Sequence, residues 1–159
     1  MHRKINLDRL IDAYRSLVLE EARLRLANSF PPFVASLTLD GGGGRLLVQE
    51  VDAGKTSRAK DEFVTQVQAD AQSCKAVAVW FGARGWNAPD WSPRPSKHPQ
   101  GRRMLLLFES TQTKRDRLWQ AMVMQDRGDG TYRCGRWCST DAKGGRFVNL
   151  LGSGPRMVP

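Results

Sequence analysis

Between Ala83 and Arg103 the chain reads "ARGWNAPDWSPRPSKHPQGRR", which gathers two of its five tryptophans, four of its eight prolines and one of its two histidines among Arg84, Arg94, Lys97, Arg102 and Arg103. Guanidinium and ammonium groups donate charge-assisted hydrogen bonds to phosphate or carboxylate, and the indoles of Trp86 and Trp91 offer flat faces on which bases stack. The X-Pro steps at Pro89, Pro93, Pro95 and Pro99 favour extended backbone, which lowers the entropy lost when a partner binds. Cations interleaved with aromatic rings on a stiff loop are what a single-stranded nucleic acid requires. The competing expectation folds both indoles back as a lid over a sheet and leaves the arginines solvated.

Other residue types that could do chemistry are weaker. His98 could act as a base or a ligand, but Ser96 is too close in sequence to be oriented as its nucleophile, and a bond to a backbone carbonyl is the expected use of the ring. Cys134 and Cys138, with Cys74 and His98, are donors of the right type for zinc. On one continuous strand the two nearer thiols would share a face about 13 Å apart, too far for one ion, so ordinary thiols and no cofactor are expected. Gly54-Lys55-Thr56 matches the end of a phosphate loop, yet Gln49 stands where that loop needs its first glycine. Pro89-Asp90 together with Asp141-Ala142-Lys143 resembles the Pro-Asp…Asp-x-Lys pattern of a large nuclease superfamily, which implies metal-dependent phosphodiester hydrolysis.

Charge is distributed unevenly. Residues 1–93 carry 12 Lys+Arg against 11 Asp+Glu and residues 94–159 carry 13 against 5, so +8 of the chain's +9 lies in the last 66 residues. Such a field attracts polyanions, nucleic acid foremost. Several of Arg115, Arg117, Arg127, Arg133, Arg136 and Arg146 are expected to form one continuous solvent-facing patch opposite the helices, with Arg115, Arg133 and Arg136 joining the loop in binding. The plainer reading is that the charge only keeps a small protein in solution.

These residues must be carried by elements that the pattern of apolar positions predicts. Leu7, Leu10, Ile11, Tyr14, Leu17 and Val18 trace one face of a helix capped by Asn6 and ended by "SFPP", with Asp8, Asp12, Arg15 and Glu20 turned away from it. "FVASLTLD" and "RLLVQEVD" flank four glycines as a hairpin, and a second helix runs from Thr56 or Ser57 to about Ser73. "AVAVWF" reads as a central strand, and "MLLLFES", "RLWQAMVMQD" and "GTYRCGRW" as an antiparallel meander turning at Asp129-Gly130. The expected fold is α+β, order α-β-β-α-β-β-β-β, with two helices on one face of a mainly antiparallel sheet. One domain is expected over residues 1–150, with 151–159 as a flexible tail. The composition excludes a disordered chain, and no apolar run is long enough to span a bilayer; a cytoplasmic protein without a membrane partner is expected. The leading functional expectation is a non-enzymatic basic module that binds nucleic acid. A subunit docking on an acidic protein ranks second, and a metal-dependent nuclease-like enzyme third.

Overall fold

The computed structural model describes residues 6–28, 30–87, 102–126, 132–142 and 145–152. Two helices, α1 (Leu7–Ala27) and α2 (Ser57–Cys74), accompany seven strands: β1 (Phe33–Asp40), β2 (Gly43–Glu50), β3 (Ala78–Asn87), β4 (Arg102–Thr111), β5 (Arg117–Asp126), β6 (Tyr132–Cys134) and β7 (Cys138–Asp141). The strands form one antiparallel sheet in the order β2-β1-β3-β4-β5-β6, with β7 also pairing β5. Fold class and element order are those expected, with β7 added. No helix among the described residues is long and apolar enough to cross a membrane.

The local signals act where the sequence places them. Asn6 caps α1 by accepting from the Arg9 amide, and Thr56 caps α2 by accepting from Ala59 at 3.0 Å. The hydroxyl of the Gly-Lys-Thr stretch therefore starts a helix, and Gly54, at φ +80°, is needed there because a Cβ would fall 2.5 Å from that of Ala59. Gly41, at φ +62°, lets two residues close the β1–β2 hairpin.

The helices lie on opposite faces of the sheet instead of sharing one. Phe33, Ala35 and Leu37 of β1, with Trp80, Leu105, Leu107 and Ala121, pack with Ile11, Val18, Ala22 and Leu26 of α1. The alternate positions Val34, Val79, Phe81 and Phe108 pack with Val64, Val67 and Ala71 of α2. Successive side chains of a strand point to opposite sides, so β1, β3 and β4, apolar at both parities, need cover on both. The C-terminal stretch also joins this second core. Leu150 is fully buried there, its amide donating to Ser110 Oγ at 2.9 Å, and the Asn149 amide donates to Asp116 Oδ2 at 2.6 Å.

The apolar stripe of α1 is rotated from its expected position. Leu17 is 56 % exposed, whereas Arg15, four residues after Ile11 and three before Val18, points at the sheet. There its Nε and Nη2 donate to the two carboxylate oxygens of buried Glu109, and Trp80 Nε1 donates to Glu109 Oε1 at 2.8 Å. The guanidinium also lies 5.5 Å over the Trp119 ring and bonds Asp12. Burial works against the Arg15 charge, but Glu109 and then Asp12 outweigh it, and the net shift of its pKa is upward.

The meander ends in a break. Cys134 sits opposite Val123, while Cys138 sits opposite Gln120, so four residues on one side face three on the other. One extra residue reverses the facing of all that follow. Cys134 therefore packs on the α1 core, and Cys138 takes the parity of the α2 face and is exposed.

Candidate nucleic-acid interface

The segment that the sequence marks out divides between strands and a connection. β3 runs on through Ala83–Asn87 and β4 begins at Arg102, so the two strands extend past the apolar runs that predicted them. Two glycines permit this. A Cβ at Gly82 would lie 2.4 Å from the ring of fully buried Phe33, which has no room to give way, and one at Gly85 would lie 2.5 Å from a Leu106 methyl, which would have to shift. Trp91, Arg94, Lys97 and His98, like Pro89 and Asp90, lie outside the described residues.

At the end of this ladder Arg84 stands opposite Leu105, and Trp86 opposite Arg103. Arg84 and Arg103 are thus diagonal neighbours on adjacent strands and share the α1 face with Leu105. Both are half-buried, and both line a cavity of about 340 Å³ whose other walls are Gly85, Leu26 of the last turn of α1, and the Phe30-Pro31-Pro32 connection into β1. Phe30 is 53 % exposed. Two fixed cations beside an accessible ring form a surface that can neutralise a phosphate and rest against a base or another flat group. Asn87 pairs with Arg102 in the same ladder, at the mouth of the 88–101 connection.

The remaining predicted cations do not gather. Arg115 lies in the β4–β5 turn, Arg133 on β6 and Arg136 between β6 and β7, all exposed. Arg117 takes the α1-face parity and bonds Asp141 and Ser139, whereas Arg146 bonds Asp61 of α2 across the other face. Arg127 lies outside the described residues. The expected single patch opposite the helices is therefore not formed. With a helix on each face, the sheet has no side opposite both, and two of the arginines are held by carboxylates.

The metal candidates are separated as well. Cys74 is exposed at the end of α2, on the far side of the sheet from Cys134, and His98 lies outside the described residues. Burial pushes the Cys134 thiol pKa up, with Arg23 pulling the other way. Among the described residues no group of three His, Cys, Asp or Glu could hold an ion. Asp141 is paired with Arg117, and Pro89, Asp90 and Lys143 of the nuclease-like pattern lie outside the described residues.

Sequence reasoning missed the Arg15–Glu109 pair. A signal was present: each is a charged residue at a core-facing position of its element, with opposite sign, and neither could be buried alone. No protein-family model, curated protein or solved structure matches the chain.

Proposed function

We propose that this chain is a basic, non-enzymatic binding module for single-stranded nucleic acid, engaged at the β3–β4 end of the sheet. The observation that carries the reading is the convergence of Arg84 and Arg103, from neighbouring strands, on one cavity edged by Phe30. It is supported by the charge of the chain, +8 of which lies from Arg94 onward, and by Trp91, Arg94 and Lys97 in the sequence between these two strands. Phosphate binding releases counterions and ring stacking reads little sequence, so affinity should be steeply salt-dependent and only slightly sequence-dependent.

A mobility shift with short single strands tests it. Replacing Arg84 and Arg103 together by alanine should weaken binding and lower the slope of log affinity against log salt by about 0.7 for each phosphate that the pair neutralises. Trp91→Ala should instead weaken binding by roughly 5- to 150-fold with little change in slope, because stacking of about 1 to 3 kcal/mol per base is not a counterion effect. Absence of any shift with micromolar protein at about 50 mM salt, where attraction to phosphate is strong, would refute the reading. A tryptophan variant that melts earlier yet binds normally would make the indoles core and the segment a lid.

A further inference from the structure

The two edges of the sheet are built differently. On the far side, β5 is bordered by the short strands β6 and β7, which are separated at Gly135–Trp137 by a one-residue slip and carry a second shift of register opposite Val123–Asp126, and broken edges of this kind resist pairing with other chains. On the near side, β2 presents eight residues in unbroken register with β1, contains no proline or lysine, and has no described strand beyond it.

The direction of its backbone groups follows from the hydrogen bonds. The Val51 amide donates to the Pro32 carbonyl at 2.8 Å, which makes 51 and 32 a hydrogen-bonded pair. Alternation then turns Gln49, Leu47, Arg45 and Gly43 toward β1 and leaves the N–H and C=O groups of Gly44, Leu46, Val48 and Glu50 pointing outward. The Gly44 carbonyl accordingly accepts from the Tyr14 hydroxyl at 2.8 Å and not from β1. Leu47, at the centre of the strand, is 53 % exposed.

We infer that β2 pairs antiparallel with β2 of a second copy of this chain, across a two-fold axis at Leu47. Outward groups must meet outward groups and each face must continue into the same face, so only registers joining even positions to even positions are allowed. The one centred on Leu47 sets Leu46 against Val48 of the partner subunit and Gly44, whose carbonyl keeps its bond from Tyr14 and accepts again with its second lone pair, against Glu50 of the partner subunit; by symmetry, all four outward residues are used. A shift of two residues either way leaves one of them out. Arg45 meets Gln49 of the partner subunit, so no charge faces its like. The two Leu47 side chains meet as a non-hydrogen-bonded pair, the closer of the two spacings.

A second copy fits this edge for an electrostatic reason. β2 belongs to residues 1–93, whose net charge is +1, and stands at the opposite end of the sheet from β5 and β6 in the +8 part. Pairing through β2 therefore joins two strongly basic chains at a strand whose own charges are Arg45 and Glu50, and keeps Arg117 of β5 and Arg133 of β6 at the far edge from the seam, beyond the Debye length of about 8 Å. The product is one continuous sheet with β2 of both copies at its centre and β6 at either end.

Sedimentation velocity of the full chain over about 1 to 200 µM, the range of weak reversible interfaces, tests the pairing. The wild type should pass from monomer toward dimer. Leu47→Lys and Leu47→Glu, which place like charges against each other at the axis, should each weaken dimerisation at least about tenfold. Far-UV circular dichroism should be unchanged in both, since the side chain is half exposed. An equimolar mixture of the two variants should dimerise again, because Lys then faces Glu. A wild type that stays monomeric throughout, or a Leu47→Lys protein that dimerises as well as wild type, would overturn the inference. Two monomeric variants that fail to complement would overturn the register.

Discussion

On the α1 face of the sheet a carboxylate, a guanidinium and an indole meet inside the core, whereas the α2 face is closed by the phenyl rings of Phe63, Phe81, Phe108 and Phe147 and by aliphatic side chains. Polar groups do enter the second face, but there they tether backbone: Ser110 and Asp116 take the amides of Leu150 and Asn149. Both arrangements bury a helix of similar length, and they specify it in different ways. Phenyl rings tolerate small rotations at little cost. A charge pair does not, since Arg15 reaches both oxygens of Glu109 only when α1 lies at one height and one rotation on the sheet. The rotation of α1 that exposes Leu17 and buries Arg15 is what this pair demands.

If that contrast is right, the largest loss should come from Glu109→Ala, which leaves the Arg15 charge and the Trp80 N–H in the core without their shared acceptor. A cost of about 3 to 5 kcal/mol in urea unfolding is expected. A cost under about 1 kcal/mol would mean that water replaces the carboxylate and that the two faces are alike. On the other face Leu150→Ala should cost about 3 kcal/mol, as the loss of a fully buried leucine does, although the residue stands within ten of the C-terminus. Normal stability in that variant would detach residues 145–152 from the core.

Ser110→Ala removes a single buried acceptor from the Leu150 amide and should cost about 1 to 2 kcal/mol; no change at all would place that amide against water. The smallest effect concerns Cys134. A thiol that holds its proton more tightly folded than unfolded contributes stability that is complete below its ordinary pKa, near 9, and is lost as pH rises through the higher folded value. Stability should therefore decline slightly above about pH 9 and less so in Cys134→Ala. At about pH 8 a thiol reagent should modify Cys74 and Cys138 first and Cys134 last, since the thiolate is the reactive form. Equal rates would show that the α1 core does not shield it.

Much of the architecture follows from the chain's own periodicities. Asn6 and Thr56 can be read as caps because their side chains act on amides three residues away, and the β1–β2 hairpin can be read from its glycines because a two-residue turn is a local event. The uneven charge is likewise a property of the sequence. Which face each helix covers, that β3 and β4 continue past their apolar runs to bring Arg84 and Arg103 to one cavity, and that a one-residue bulge turns Cys138 away from Cys134 were all decided by tertiary structure. The same holds for Arg15 and Glu109, which lie 94 positions apart. Local patterns report what a residue's near neighbours allow, but a buried charge is admissible only when its counter-charge arrives from elsewhere in the chain, and that meeting exists only once the fold has formed.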